Sequence, residues 1–244
     1  MSEKNFFIIG CQRSGTTFLY HLLEQHPQIC MSKPVRPEPK YFIQQRQQSD
    51  IPNYINTYFK DRKPGDLLGE KSTSYIEHEQ ALTQIKSFFS QSKILIMMRN
   101  PVERAISNFF YSRNNGIEKR EPEEAIFSEN NDLTRVKSSV NPFDYLQRGH
   151  YSIYLERAFS IFGKELVKPI ISEDLFEDKS VTQDIFDFLG VEENVTLKDR
   201  SVQNSSVKDE QVPMQVRERL YEHYQKEFAI LKNQFGIQSE RWHL

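Results

Sequence analysis

A glycine-bounded loop near the N-terminus contains the residue types of an anion-binding site. Residues 10–17 read GCQRSGTT and follow the apolar run 6–9. In such a loop, the backbone N–H groups and the N-terminus of the following helix form a pocket for a phosphate-like anion. A loop that binds a nucleoside triphosphate carries lysine where this chain has Thr16, whereas the cation here is Arg13. The loop therefore indicates a less highly charged anion, with an unliganded glycine turn as the alternative.

A second candidate anion site follows the apolar run 93–98. Arg99 ends this run, Pro101 opens the next helix, and Ser107 lies eight residues after Arg99. At about 3.6 residues per turn, Arg99 and Ser107 can both face the crevice at the carboxyl ends of parallel strands. An arginine fork beside a hydroxyl is suited to a terminal phosphate. The alternatives are an ion pair between Arg99 and Glu103, and an exposed helix position for Ser107.

These two motifs resemble those of the sulfotransferases that use 3′-phosphoadenosine 5′-phosphosulfate (PAPS). CQRSGTTFL, residues 11–19, is similar to their 5′-phosphosulfate loop, and RNPVERAIS, residues 99–107, is similar to their 3′-phosphate site. The resemblance extends from residue 6 to about residue 190, and it is closer to the heparan or glycan enzymes than to the cytosolic phenol and steroid enzymes. Four further segments resemble that branch: EPKYF (38–42), GEKS (69–72), RGHY (148–151) and SEDL (172–175).

The resemblance implies that the chain is a PAPS-dependent sulfotransferase. Such an enzyme moves a sulfuryl group in line from PAPS to an acceptor hydroxyl or amine, releases 3′,5′-adenosine bisphosphate (PAP), and needs no metal ion. The six histidines are scattered and indicate no metal site. A first-helix phenylalanine such as Phe18 is more often a core residue, and Arg104 fits a surface helix charge. The residues implied to bind the donor are Arg13, Ser14, Gly15, Thr16, Thr17, Phe18, Arg99, Ser107 and Arg200 of the late loop 200–206.

The resemblance also selects the candidate catalytic residues. Glu38, which two prolines flank, matches the glutamate proposed as the base that takes the acceptor's proton. Arg13 matches the cation that stabilises the departing phosphate, and Lys71 matches a lysine that supports the base and the sulfuryl group. His150 is an alternative base, because an imidazole titrates near neutral pH; it also fits a capped loop histidine. The segment implied to contact the acceptor contains Lys40, Tyr41 and Phe42.

Alternating strand and helix patterns predict the elements that position these residues. Strands are predicted at 6–9, 67–68, 93–98 and 166–171, and helices at 16–26, 77–89, 101–113, 151–162, 180–189 and 212–235. The alternation predicts an α/β protein with a central parallel sheet flanked by helices, and the resemblance specifies the three-layer sandwich of P-loop NTPases. We expect one domain over residues 1–244, with loop and helical excursions at about 32–65 and 114–141 that form the acceptor site.

The numbers of acidic and basic residues limit the classes of partner that the protein can bind. Lys and Arg total 32 and Asp and Glu total 34, a net charge of -2, which excludes the broad positive field of a nucleic-acid-binding protein. We therefore expect a small-molecule or saccharide acceptor and no nucleic-acid partner, since a heparan-like polymer would require a basic groove. No apolar run is long enough for a signal peptide or a membrane span. We accordingly expect a cytoplasmic protein without a membrane partner; its oligomeric state stays open.

Two other functions stay open at this point. One is a small-molecule kinase on the same fold, and the other is a nucleotide-binding relative that has lost catalysis. Thr16 at the lysine position argues against a kinase, as does the lack of an obvious magnesium carboxylate after an apolar strand. The joint presence of Arg13, Glu38 and Lys71 argues against a loss of catalysis.

Overall fold

The computed structural model describes residues 4–128, 140–193, 195, 211–238 and 240–242. The chain divides into two units, one formed by Met1–Met98 with Glu156–Asn204 and the other by Arg99–Leu155 with Ser205–Leu244. The glycine loop and Glu38 belong to the first unit, and the motif at 99–107 belongs to the second.

Five parallel strands form the sheet of the first unit, in the order β2-β3-β1-β4-β5. Their bounds are β1 Asn5–Gly10, β2 Ile29–Met31, β3 Leu67–Lys71, β4 Lys93–Met98 and β5 Val167–Ile171. Most apolar strand residues are buried, as expected for a parallel sheet that is covered on both faces. The predicted central parallel sheet is confirmed. The sequence did not predict β2, because three residues are too few to show a strand period.

Nine helices of at least six residues occur in the described part of the chain. They are α1 Thr16–Glu24, α2 Ile51–Tyr58, α3 Glu79–Phe88, α4 Pro101–Asn114, α5 Pro122–Phe127, α6 Tyr151–Phe162, α7 Ser172–Glu177, α8 Lys179–Leu189 and α9 Met214–Phe235. The two predicted excursions therefore contain regular structure, since α2 lies in the first and α5 in the second. Within the described residues, no helix is long and apolar enough to cross a membrane.

Alternate residues of β1 pack on opposite faces of the sheet. Phe6 and Ile8 join the core against the buried side of α1. Phe7 points the other way, and its ring centroid lies 6.0 Å from that of Phe42 and 5.9 Å from that of Phe89. On this second face, the aromatic cluster consists of Phe7, Phe42, Tyr54, Phe59 and Phe89. Because α1 covers one face and α2 supplies Tyr54 to the other, the sheet is the middle layer of a three-layer sandwich.

The second unit has a core in which two buried arginines share one acceptor. Arg104 is fully buried rather than exposed, and its guanidinium donates to the Tyr145 carbonyl and, at 3.3 Å, to Asn108 Oδ1. Arg148 donates to the same Asn108 oxygen at 3.1 Å. These bonds attach α4 to the segment that precedes α6. The apolar part of this core includes Val102, Phe109, Phe143, Val216, Leu220 and Tyr224.

Glu118 is a buried carboxylate of the second unit. Its side chain is 3% exposed and accepts hydrogen bonds from Arg120 Nη2 at 2.8 Å and from the Tyr145 hydroxyl at 3.1 Å. Burial raises the pKa of Glu118, but the hydrogen bonds from Arg120 and Tyr145 outweigh burial and lower it to about 2. The ionised carboxylate therefore stabilises the folded state.

A Glu118→Gln variant should lose about 1–3 kcal/mol of unfolding free energy near pH 7. The folded-state pKa lies below the ordinary 4.5, so the contribution is complete above that value and disappears as the pH falls towards 2. Urea unfolding should therefore give a deficit less than half as large at about pH 3 as at about pH 7. Glu121→Gln, which removes the exposed partner of Arg113, is the control and should change little at either pH. A deficit that is independent of pH would contradict this account.

Candidate active site

The glycine loop is anchored to the middle of the sheet. It joins β1 to α1, and the Cys11 N–H donates to the Met97 carbonyl of β4 at 2.7 Å. Arg13 has φ 67 and Gly15 has φ 80, both in the left-handed region. At position 15 a Cβ atom would lie 2.8 Å from the Phe176 ring, so only glycine satisfies both the dihedral angle and the space.

The loop contains a buried hydroxyl that is suited to an anion. Ser14 is fully buried, and its Oγ has no hydrogen-bond partner among the described residues. A buried polar atom without a partner costs free energy, so a ligand oxygen at this point would relieve that cost. Thr16 is buried and opens α1, whose N-terminus favours negative charge. The buried hydroxyl and the helix N-terminus together suit an anionic group.

Glu38 and Lys71 form an ion pair at the carboxyl end of β3. Lys71 Nζ lies 2.5 Å from Glu38 Oε1, and their side chains are 3% and 13% exposed. Thr73 adds its backbone N–H, 3.0 Å from Glu38 Oε2, and its hydroxyl, 3.0 and 3.1 Å from the two carboxylate oxygens. Lys71 pairs in register with Ile8 of β1, the strand that leads into the glycine loop. The candidate base Glu38 is therefore held at the carboxyl ends of the parallel strands, where the glycine loop also begins.

Cationic side chains lie close enough to His21 of α1 to affect its pKa. His21 lies one turn after Thr17 on α1, and its pKa is lowered by burial and by the charges of Lys33, Lys71 and Arg36. Lys33 also forms an ion pair with Glu24. Although the whole chain is nearly neutral, His21 experiences a locally positive charge.

The segment after Glu38 divides into an accessible part and a buried part. Lys40 and Tyr41 are half-buried, and the guanidinium of Arg46 lies 4.0 Å from the centroid of the Tyr41 ring. Phe42 is fully buried in the aromatic cluster. The Phe42 ring therefore packs in the core beneath this segment and is not accessible to an acceptor. Phe18 is likewise a core residue, 4.9 Å from Phe176 between ring centroids.

The residues of the second motif lie in the second unit. Arg99 is half-buried, and its carbonyl accepts a hydrogen bond from the Tyr151 hydroxyl at 2.9 Å. Ser107 is buried on α4. Both are fixed by regular structure, Arg99 just beyond the end of β4 and Ser107 within a helix.

His150 has two side-chain partners within the second unit. Its Nδ1 lies 3.4 Å from Glu227 Oε2, and its Nε2 lies 3.1 Å from Nε2 of His223. Burial and the neighbouring His150 lower the pKa of His223. This pairing matches the structural alternative stated for His150 better than the role of a base, because both of its ring nitrogens already face other groups.

Sequence reasoning missed Thr73 and named one residue that lies outside the described part of the chain. Thr73 supplies three of the contacts to Glu38, and its only signal was its position two residues after Lys71. Arg200, with its loop 200–206, lies outside the described residues. Where the structure is described, no group of three or more His, Cys, Asp or Glu residues could hold a metal ion.

Comparisons with known proteins agree on one family. A family model described as "Sulfotransferase domain" matches residues 3–231. The mouse bifunctional heparan sulfate N-deacetylase/N-sulfotransferase 4 is 27% identical over 196 residues, which cover 76% of this chain and 22% of that protein. A sulfotransferase structure from Alicyclobacillus acidocaldarius has a TM-score of 0.80 and 24% identity, covering 99% of both chains. A mouse sulfotransferase complexed with PAP has a TM-score of 0.54 and 17% identity, covering 96% of this chain and 85% of that one.

The three-layer sandwich and its glycine loop define a P-loop-like fold. Since the family model matches nearly the whole sequence, the chain belongs to the sulfotransferase domain family. The chain spans less than half the length of the curated relatives it matches, and at under 25% identity the two structures establish the shared fold.

Proposed function

We propose that this enzyme transfers a sulfuryl group from PAPS to an acceptor hydroxyl or amine, with Glu38 as the general base. The proposal rests on the contacts that Lys71 and Thr73 make with the Glu38 carboxylate. These contacts lie at the carboxyl ends of the parallel strands, where the glycine loop also begins. We further propose that residues 1–244 act as one catalytic domain.

The donor is proposed from the loop and from one relative. PAPS supplies the sulfuryl group, and the left-handed Arg13, the buried Ser14 and the start of α1 are suited to its phosphosulfate. The complex of the mouse sulfotransferase with PAP supports the same nucleotide here. Arg99 and Ser107 are assigned to the 3′-phosphate from their motif alone.

In the proposed mechanism, a base removes a proton from the acceptor and cationic side chains stabilise negative charge. Glu38 accepts the proton of the acceptor while the acceptor oxygen or nitrogen bonds to sulfur, and Arg13 stabilises the charge on the departing phosphate. Lys71 orients the Glu38 carboxylate through the 2.5 Å contact. This mechanism requires no further protein group at the reacting atoms.

The acceptor is proposed to be a small molecule or a saccharide. The half-buried Tyr41 ring, with Arg46 stacked on it, is a surface on which a sugar ring can pack. Lys33 and Arg36 are exposed, and together with Lys71 they act on His21 as positive charges, so this region would attract acidic groups of such an acceptor. The heparan sulfate named for the mouse relative is consistent with a glycan. A cytoplasmic location is part of this proposal, and cell fractionation tests it.

Thermal unfolding with PAP and with magnesium ATP separates a sulfotransferase from a kinase. We expect PAP at about 100 times its dissociation constant to raise the unfolding midpoint by roughly 5–10 °C, because only the folded loop binds it. Adenosine, which lacks both phosphates, is the matched control and should have little effect. Stabilisation by magnesium ATP without any effect of PAP would overturn the proposal.

A further inference from the structure

Glu70 is a fully buried carboxylate that the proposed chemistry does not use. Its Oε2 accepts from the Tyr54 hydroxyl at 2.6 Å, and its Oε1 accepts from Ser72 Oγ at 2.6 Å. Distances of about 2.5–2.7 Å are typical of a hydroxyl that donates to an ionised carboxylate. Burying a carboxylate is costly unless hydrogen bonds compensate it, so such a residue calls for a reason beyond packing.

The hydroxyls around Glu70 also hold the segment that follows Glu38. The Lys40 N–H donates to Ser72 Oγ at 2.8 Å, and the Phe42 N–H donates to the Tyr75 hydroxyl at 3.2 Å. Tyr75 is itself hydrogen-bonded to Glu70. A hydroxyl has one proton, and if it gives that proton to Glu70 its lone pairs remain for the backbone amides. Glu70 therefore sets the orientation of both hydroxyls.

The charge states favour this arrangement. The pKa of Glu70 is raised, because burial outweighs the hydrogen bonds from Ser72, Tyr54 and Tyr75 that lower it. Burial and the charge of Glu70 raise the pKa of Tyr54 and of Tyr75 well above the ordinary value. Both phenols thus stay protonated and remain donors at neutral pH.

Glu70 and Lys71 are neighbours on β3, and their side chains point to opposite faces of the strand. Lys71 contacts the Glu38 carboxylate directly, while Glu70 reaches the backbone two and four residues beyond Glu38 through Ser72 and Tyr75. One strand thus fixes the base both at its carboxylate and at the backbone that follows it.

We propose that Glu70 is a positioning residue, which holds Glu38 in place through the Ser72 and Tyr75 hydroxyls and their bonds to the backbone of residues 40 and 42. This inference rests on the proposed role of Glu38. A displacement of about 1 Å at a reacting group can cost about 100-fold in rate. Loss of these hydrogen bonds should therefore lower kcat and leave binding at the donor site unchanged.

A Glu70→Gln variant tests the inference. The amide replaces one acceptor oxygen by a donor, so the side chain can no longer accept from all three hydroxyls. We expect the Ser72 or Tyr75 hydroxyl to turn and its hydrogen bond to the backbone N–H to weaken. We expect kcat to fall about 10- to 100-fold, with the KM for PAPS and the affinity for PAP unchanged. Hydrogen exchange of the Lys40 and Phe42 amides should accelerate at least about 10-fold.

Tyr54→Phe is the matched control, because it removes a hydrogen bond to Glu70 that does not lead to the backbone of residues 40 and 42. It should lower stability but leave kcat within about twofold and those two amides protected. Ser72→Ala should reproduce part of the loss in kcat, and Glu70→Gln with Ser72→Ala should be no worse than Glu70→Gln alone, since both act on one path.

The outcomes separate this inference from the proposed function. Unchanged exchange at Lys40 and Phe42 in Glu70→Gln overturns the positioning role, as does a variant that loses stability but keeps the wild-type kcat. If Glu38→Gln keeps full turnover, the proposed base is wrong, and the catalytic role of Glu70 is overturned with it. The exchange measurement requires no acceptor, so it decides the positioning claim by itself.

Discussion

A Glu38→Gln variant should turn over about 100- to 10,000-fold more slowly than the wild type while binding PAP with unchanged affinity. Its amide keeps the size of the side chain but cannot accept the acceptor's proton. The carboxylate is reachable, at 13% exposed, and its contacts to Lys71 and Thr73 fix its direction. Release of PAP at saturating PAPS, with any acceptor from a hydroxyl and amine panel that supports turnover, measures kcat, and calorimetry measures PAP binding.

The control for this variant is Glu79→Gln, which removes a carboxylate that is 71% exposed and lies 3.7 Å from Arg157. It should alter kcat by less than about threefold, because exposed ion pairs contribute little. Full turnover in Glu38→Gln would exclude Glu38 as the base.

A Lys71→Met variant should lose about 100- to 1,000-fold in kcat, because the Glu38 carboxylate loses the contact that orients it towards the acceptor. It should also be less stable by about 1–3 kcal/mol, since the mostly buried Glu38 carboxylate loses its ionic partner. Urea unfolding should show that Lys71→Met with Glu38→Gln is more stable than Lys71→Met alone, because the second change removes the unpaired charge.

Lys60→Met is the control for that variant, because Lys60 is exposed in the turn after α2. We expect it to leave both kcat and stability close to the wild type. Equal stability of Lys71→Met and the wild type would mean that the 2.5 Å contact contributes nothing to the fold.

The fold was largely predictable because its strands carry strong local signals. The runs 6–9 and 93–98 are apolar throughout, and they became the central strands β1 and β4. The strand β2 and the helix α2 were missed, since β2 has three residues and α2 lies in a segment rich in polar residues and proline. In such segments tertiary packing decides the structure, here through Tyr54 of α2 in the aromatic cluster.

The site was predictable in its residue types but not in its contacts. Glu38 and Lys71 were selected from their motifs, yet they are 33 residues apart, and only the fold reveals that they form an ion pair. The burial of Phe42 follows from its position beneath the segment, which the sequence EPKYF does not show. Glu70 was noted only as part of the GEKS segment, because the fold alone shows that it bonds both to Tyr54 of α2 and to Ser72 and Tyr75 after β3.

The transfer of labelled sulfur from PAPS tests the central claim most directly. The wild-type protein, incubated with sulfur-labelled PAPS and a panel of saccharides and small hydroxyl and amine compounds, should move the label to at least one acceptor. It should release one PAP for each label transferred, and Glu38→Gln should abolish nearly all of this transfer. Failure of the wild type to label any acceptor, despite firm binding of PAP, would contradict the account.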